Sequence, residues 1–178
     1  MRKRNLMIVG SLVGVAAGWA FARSNSPLQT VPNVDLGRYA GRWYEIARYP
    51  NRFERKCDRD VTAEYSIKSN GYIRVANSCV KSSGAITQSI GTAKVVDKIT
   101  NAKLKVAFLR PFYGNYWIID LGQNYEYAVV GEPSRKYLWI LSRDPKMPED
   151  VYQRIAARLA SKGYDSSRLI RTPQTGSR

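Results

Sequence analysis

The chain is poor in the residues that enzymes use for chemistry. Its 178 residues include no histidine, which excludes Ser-His-Asp and Cys-His catalysis, imidazole metal sites and histidine-based pH switching. Two cysteines are too few for a zinc finger or an iron–sulfur cluster. The acids Asp97, Asp120 and Glu126 are scattered, and no paired carboxylates stand out among the predicted interior positions. The sequence therefore predicts no catalytic residue, no metal ligand and no cofactor.

The two cysteines, Cys57 and Cys79, have a structural interpretation instead. They flank two alternating segments joined by Ser69-Asn70-Gly71, and Asn-Gly between such segments is a strong hairpin signal. Folding the hairpin brings its two ends together. We therefore predict a Cys57–Cys79 disulfide in an oxidising compartment, with two free buried thiols as the alternative.

The first 22 residues have the organisation of an export signal. Arg2-Lys3-Arg4 precede an apolar run from Leu6 to Ala22 that closes with Ala20-Phe21-Ala22. This pattern favours a secretory signal peptide, while the length of the run leaves an uncleaved membrane anchor open. No cysteine precedes Cys57, so we expect export to the periplasm or the membrane-associated cell envelope without lipobox lipidation.

The charge of the chain points to a polyanionic neighbour. There are 29 basic and 14 acidic residues, a formal net charge of +15, which suits either nucleic acid or an anionic membrane surface. Because the predicted export separates the protein from nucleic acid, we expect a membrane surface and no nucleic acid. Each well-placed cation contributes about 1 kcal/mol to such binding.

Short segments of alternating apolar and polar residues dominate the chain from residue 38 onward. They occupy residues 41–47, 61–67, 73–77, 87–96, 103–108, 116–121, 125–130 and 137–141. Sequential strands with tight turns predict an antiparallel meander, and closing eight strands removes the exposed edges. We therefore predict an all-β, eight-stranded antiparallel up-and-down barrel over residues 33–172, between a flexible tether at 23–32 and a disordered tail at 173–178.

One amphipathic helix is predicted after the strands. Pro148 with the acids that follow it is typical of a helix start, and Gly163 is typical of a helix end. The apolar positions between them repeat every four residues: Val151, Ile155 and Leu159. We expect this single C-terminal helix to pack on the outside of the barrel.

Several motifs resemble one family. Gly41-Arg42-Trp43 resembles the G-x-W signature of lipocalins, and longer stretches extend the likeness: Arg42–Arg48, Arg52-Phe53-Glu54, Val61–Ser66, Pro111–Tyr116 and Tyr137–Arg143. Together they resemble the bacterial outer-membrane lipoprotein type, apolipoprotein D and plant temperature-induced lipocalins over about residues 33–172. The central T-D-Y motif is degenerate around Gly122–Tyr125, and the lipoprotein cysteine is absent.

The resemblance implies a closed barrel floor. Arg143 follows the last barrel strand, and its guanidinium is expected to lie over the indole of Trp43, with Gly41 at the start of the first strand in the same floor. A partly desolvated cation–π contact of this kind contributes about 1–2 kcal/mol. These residues would then stabilise the barrel and would not contact the ligand.

A barrel of this class leaves a cavity at its other end, large enough for one small ligand. The side chains expected to line it come from alternate strand positions: Tyr65, Ile73, Val75, Val106, Phe108, Tyr116 and Trp139. Trp139 also matches a pocket tryptophan of the relatives. A filled barrel, in which these side chains pack on one another, is the alternative.

These features favour a non-catalytic protein that binds, stores or transports single-chain lipids, either fatty acids or lysophospholipids. Their anionic or zwitterionic heads would meet the cations of the loop at residues 50–59, which are Arg52, Arg55, Lys56 and Arg59. Another apolar cargo (a pigment, porphyrin or isoprenoid) is the first alternative, and a lipocalin-fold enzyme is a less favoured one. A homodimer stays open.

Overall fold

The computed structural model describes residues 26–176. Over this range the chain forms nine strands and two α-helices. The elements are α1 (Leu36–Tyr39), β1 (Gly41–Arg48), β2 (Arg59–Ile67), β3 (Ile73–Val80), β4 (Ile86–Val95), β5 (Lys103–Leu109), β6 (Phe112–Leu121), β7 (Tyr127–Gly131), β8 (Leu138–Ser142), α2 (Glu149–Leu159) and β9 (Ile170–Arg171).

Strands β1 to β8 form a closed antiparallel barrel. Each pairs with the next along the chain, and β1 pairs with both β2 and β8. The predicted eight-stranded up-and-down barrel with a C-terminal helix is confirmed, with β9 as an additional short strand on β1.

The strand connections fall alternately at two ends of the barrel. The first end, here called the closed end, holds Gly41 and Arg143 together with the connections at residues 68–72, 96–102 and 122–126. The second, here called the open end, holds the connections at residues 49–58, 81–85, 110–111 and 132–137.

Two strand limits differ from the sequence prediction for identifiable reasons. Strand β7 begins at Tyr127 and not at Tyr125, because Tyr125 has a left-handed φ of 62° and belongs to the preceding turn. Strand β6 begins four residues before the predicted Tyr116, since Leu109 pairs with Phe112 across the β5–β6 turn. The first change lengthens the β6–β7 connection, and the second shortens the β5–β6 turn. Neither changes the strand order.

Two apolar cores lie on opposite faces of the sheet. The inner core fills the barrel and includes Trp43, Ile118 and Val130. The outer core lies under α2, where the buried Ile155 and Leu159 pack with residues of β6, β7 and β8. Since the helix presents one apolar face to the sheet, it covers the outside of the barrel as predicted.

The wall between β1 and β2 is completed by the C-terminal segment. The two strands pair only from Gly41–Tyr44, next to the closed end. Nearer the open end, β9 pairs with β1, and the Gln174 side-chain amide donates to the carbonyls of both Glu45 and Val61. The C-terminal residues thus bridge two strands that have separated.

Within the described residues, the segments predicted as a flexible tether and a disordered tail make specific contacts with the barrel. Leu28 is only 5% exposed and packs in the outer core, and the Val31 amide donates to the Ile118 carbonyl. At the other end of the domain, Gln174 and Thr175 hydrogen-bond to the barrel. Sequence composition did not show these anchors, because each depends on one or two residues that meet distant strands.

The predicted signal peptide or anchor, residues 1–22, lies outside the described residues. Among residues 26–176, no helix has the length and apolar character needed to span a membrane.

The disulfide between Cys57 and Cys79 is confirmed. The two Cα atoms are 5.6 Å apart, and the bridge ties the β1–β2 connection to β3 at the open end. Neither cysteine is free.

Removing this bridge should destabilise the barrel. A sequence separation of 22 corresponds to about 3 kcal/mol of lost chain entropy in the unfolded state, or a fall in melting temperature of roughly 6–12 °C for a domain of this size. We expect this fall in calorimetry of the Cys57→Ser/Cys79→Ser variant, and no further fall when reductant is added. An unchanged melting temperature would contradict it.

Candidate ligand-binding site

The closed end is locked by Arg143. Its guanidinium carbon lies 3.8 Å from the ring centroid of Trp43, and its nitrogens donate to the carbonyls of Arg38, Tyr39, Ala40 and Arg42. The Trp43 indole in turn donates to the Tyr39 carbonyl at 2.9 Å. One side chain therefore joins the end of β8, the start of β1 and helix α1.

Three tyrosines lie inside the barrel next to the contact between Arg143 and Trp43. The Tyr116 hydroxyl lies 2.7 Å from that of Tyr39 and accepts a hydrogen bond from Tyr65 at 2.9 Å. Burial raises the pKa of Tyr65 to about 12 and raises the pKa of the other two phenols as well. All three are therefore neutral hydrogen-bonding groups near pH 7.

The half of the barrel next to the closed end has almost no free space. A cavity between α1 and the tyrosines has a volume of about 10 Å³, which is about the space of one water molecule. Tyr65, Tyr116 and Ile73 line this cavity, and Val75 is fully buried beside them in the inner core. These four predicted lining residues therefore pack on one another in the closed half of the barrel.

Small side chains face inward in the half nearer the open end. Ala63 pairs with both Trp43 and Asn77, and Asn77 pairs with Ser89, so these residues share the inner face. Two glycines also face inward, because Gly91 pairs with the inward Val75 and Gly114 pairs with the inward Val106. Small inward side chains are therefore grouped on this side of the barrel, although the Phe108 ring covers Gly91.

Val106 and Phe108 form the apolar border of this space. Val106 packs against the inner core. Phe108 is 46% exposed, and a Cβ on Gly91 would lie 2.8 Å from its ring. The Phe108 ring therefore lies across the inner face of β4 at the open end, where a ligand can reach it.

Asn77 is a polar residue of this wall that the sequence prediction missed. Its Oδ1 is buried and has no hydrogen-bond partner among the described residues. A buried amide oxygen without a donor costs stability, and a bound ligand with a hydroxyl or amine could supply the missing donor. Its place in an alternating strand was readable from the sequence, but its lack of a partner was not.

Trp139 lies on the inner face opposite and is held by the β1–β2 connection. Its indole donates to Glu54 Oε1 at 3.1 Å, and Glu54 Oε2 pairs with Arg48 Nε at 2.9 Å. Arg48 also pairs with Glu45 at 3.0 Å and donates to Thr172. The predicted pocket tryptophan is thus tied through the loop carboxylate to β1 and the C-terminal segment.

This cluster corrects the expectation that the interior has no paired carboxylates. Glu45 and Glu54 flank the same guanidinium, because a bulge between Glu45 and Ala47 turns Arg48 to the side occupied by Trp139. Burial, with the nearby Glu54 charge as the second cause, raises the pKa of Glu45 to about 8. Near neutral pH Glu45 is therefore mostly protonated and uncharged. The charged groups of the cluster are then Arg48 and Glu54, which form one ion pair.

The geometry above agrees with a family match over most of the domain. A family model described as a lipocalin-like domain matches residues 34–174. The chain is a lipocalin.

Its relatives include bacterial and eukaryotic lipocalins. The outer membrane lipoprotein Blc of Escherichia coli (strain K12) is 44% identical over 148 residues, which cover 83% of each chain. Temperature-induced lipocalin-1 of Arabidopsis thaliana is 39% identical over 156 residues, again covering 83% of each. Apolipoprotein D of Mus musculus is 34% identical over 184 residues and covers 95% of this chain and 94% of its own.

Solved structures show the same fold at lower identity. Insecticyanin from the tobacco hornworm Manduca sexta superposes with a TM-score of 0.70 at 22% identity, covering 85% of this lipocalin and 87% of its own chain.

We predict that Arg143→Ala destabilises this lipocalin and spares ligand binding. The substitution removes a cation–π contact of about 1–2 kcal/mol and takes the guanidinium donor away from four carbonyls. Urea denaturation should show the loss, and Lys146→Ala, an exposed cation nearby, should not. Unchanged stability with weaker ligand binding would contradict this role.

We also predict a pH dependence that originates at Glu45. Its pKa is higher in the folded state than the ordinary 4.5, so the folded protein holds that proton more tightly. The free energy of unfolding should therefore fall as pH rises from about 5 to about 8. Glu45→Gln should flatten this fall in urea titrations, whereas Glu64→Gln, at an exposed carboxylate, should preserve it. If the free energy of unfolding of Glu45→Gln falls with pH as steeply as that of the parent, the pH dependence does not originate at Glu45.

Proposed function

We propose that this lipocalin is a non-catalytic carrier of single-chain lipids at the bacterial cell envelope. The observation that carries the proposal is the uneven filling of the barrel. Aromatic residues occupy the closed half, while the inward residues Ala63, Ser89 and Gly114 of the other half are small, and we infer a space there that is bordered by Val106 and Phe108 and opens at the open end. One narrow space with one entrance suits one flexible chain.

Charges at the entrance favour a ligand with a negative group in its head. Arg52, Arg55 and Lys56 are exposed on the β1–β2 connection, and among residues 26–176 none of the three forms an ion pair with a carboxylate. An acyl chain can lie against Phe108 and Trp139 while a carboxylate or phosphate stays among these cations. Each buried methylene contributes about 0.8 kcal/mol before the cost of ordering the chain.

Asn77 favours lysophospholipids within this class. A rotation of the partly buried Asn77 side chain would bring its unpartnered Oδ1 to the barrel interior, where it can accept a hydrogen bond from a free glycerol hydroxyl. An ionised fatty acid has no donor to offer there. We therefore place the glycerol beside Asn77, between the acyl chain and the phosphate at the entrance.

Export and envelope location are part of the proposal. The relatives named outer membrane lipoproteins support an envelope protein, and the basic–apolar–small pattern of residues 1–22 supports export. Because the chain lacks a cysteine before Cys57, we propose retention by the N-terminal segment or by the anionic membrane surface in place of lipid attachment.

The interior carboxylates do not favour an enzyme. Glu45 is engaged by Arg48 and Thr172, and Glu54 is engaged by Arg48 and Trp139. A general acid or base needs a free path to its substrate proton. These carboxylates hold the β1–β2 connection, which is a structural use of paired charge.

We predict that affinity rises with acyl length until the space is full. Titration of tryptophan fluorescence with lysophospholipids of increasing chain length should show tighter binding at each step, and a diacyl lipid should bind more weakly because one chain lacks room. The Trp139→Phe variant should lose most of the fluorescence change and keep most of the affinity, which identifies the reporter. Asn77→Leu should weaken lysophospholipid binding more than fatty-acid binding.

Two results would contradict this assignment. Binding that is independent of chain length would show that the acyl chain lies outside the barrel. Tight binding of a rigid pigment, porphyrin or isoprenoid, with none of any single-chain lipid, would assign a different cargo to the same space.

A further inference from the structure

Large apolar side chains are exposed in or beside three of the four connections at the open end. Phe53 is 63% exposed, Ile86 79%, Leu109 71% and Phe112 73%. Phe53 lies in the β1–β2 connection, Ile86 is the first residue of β4, and Leu109 and Phe112 flank the β5–β6 turn. Exposed apolar residues grouped at one place on a soluble domain mark a surface that contacts something apolar.

The charge that surrounds these side chains is positive. Arg52, Arg55, Lys56, Arg110 and Lys136 are exposed at this end. The acids there have partners of their own. Glu54 pairs with Arg48, Asp58 and Asp60 pair with Arg59, and the buried Glu132 accepts hydrogen bonds from its own loop.

The closed end provides a contrast within the same molecule. It also exposes apolar residues, with Ile99 at 91%. Its charges are mixed, however, because the carboxylates of Asp35, Asp97, Glu126 and Asp144 hydrogen-bond to loop groups, form no ion pair within residues 26–176, and so offset its lysines and arginines. Apolar exposure alone does not distinguish the ends, but apolar exposure combined with uncompensated cations does.

The described chain also starts at the open end. The Arg135 guanidinium, on the β7–β8 connection, donates to the Ser26 carbonyl at 2.7 Å. From there the segment runs toward the closed end, where the Val34 amide donates to the Thr100 carbonyl. The apolar run at residues 6–22 is therefore connected to the protein at the open end.

We propose that the open end is a docking face for an anionic phospholipid bilayer. Phe53, Ile86, Leu109 and Phe112 enter the interfacial region, and the surrounding arginines and lysines contact the head groups. The barrel entrance then faces the leaflet, so a lipid passes between membrane and barrel without crossing water. Only this last step rests on the proposed lipid cargo; the docking does not.

The orientation can be measured with a matched pair of labels. Ser82 and Ser69 lie in exposed turns at the two ends of β3, Ser82 at the open end and Ser69 at the closed end. Since both native cysteines form the disulfide, Ser82→Cys and Ser69→Cys each provide one site for an environment-sensitive fluorophore. With vesicles of phosphatidylglycerol and phosphatidylethanolamine, the label at residue 82 should shift to the blue and the label at residue 69 should not.

Binding strength tests the side chains that carry the docking. Leu109→Ser/Phe112→Ser should weaken vesicle binding by roughly tenfold, and Arg52→Gln/Arg55→Gln/Lys56→Gln should weaken it by at least about tenfold, with less dependence on salt. Ile99→Ser, the exposed apolar residue of the closed end, is the control and should bind like the parent. Melting temperatures would show that all variants are folded.

Three results would overturn the docking face. These are a blue shift at residue 69 alone, equal shifts at both residues, or no shift at either with vesicles present. Titration with soluble lysophospholipid in the absence of vesicles reports on the cargo separately, so a failure of docking is distinguishable from a failure of the proposed function.

Discussion

The Arg143 guanidinium determines which end of this barrel is closed. It lies on the indole of Trp43 and donates to carbonyls of α1 and β1. One side chain thus holds β8, β1 and α1 together at the closed end. Next to this contact the hydroxyls of Tyr39, Tyr65 and Tyr116 hydrogen-bond to one another. The closed half is therefore filled by the protein's own side chains.

Packing density divides the interior into two functional halves. Bulky residues such as Trp43, Tyr116 and Ile118 stabilise the closed half, and apolar burial of this kind is the main favourable term in folding. The open half gives up part of that stabilisation, because the inward residues Ala63, Ser89 and Gly114 are small. A carrier needs this division, since the same core volume cannot both be filled by the protein and be available to a ligand.

The fold was predictable because its signals are local. Strand alternation, the Asn70-Gly71 turn and the motif residues at 41–43 and 143 all lie within short stretches, and the structure agrees with the barrel that they predict. The site was predicted only in part. Tyr65 and Tyr116 have the expected inward direction, yet they fill the barrel, because alternation indicates a face and does not indicate how volume is distributed along the barrel axis.

The Arg48 cluster was beyond prediction for a related reason. It requires a bulge in β1, a long connection that returns Glu54 to the barrel, and Thr172 from the far end of the chain. No local sequence pattern predicts contacts between residues that lie so far apart in the chain. The same holds for Leu28 and Gln174, whose contacts convert a predicted tether and tail into parts of the domain.

The bridge made by Gln174 between β1 and β2 has a consequence for biogenesis. Strand β1 is among the first parts of the domain to leave the ribosome, and the segment that completes the wall beside it is among the last. The wall between β1 and β2 is therefore complete only after residues 170–175 have been made. This order of synthesis is compatible with the export proposed above, because a translocation channel accepts a chain that has not yet finished folding.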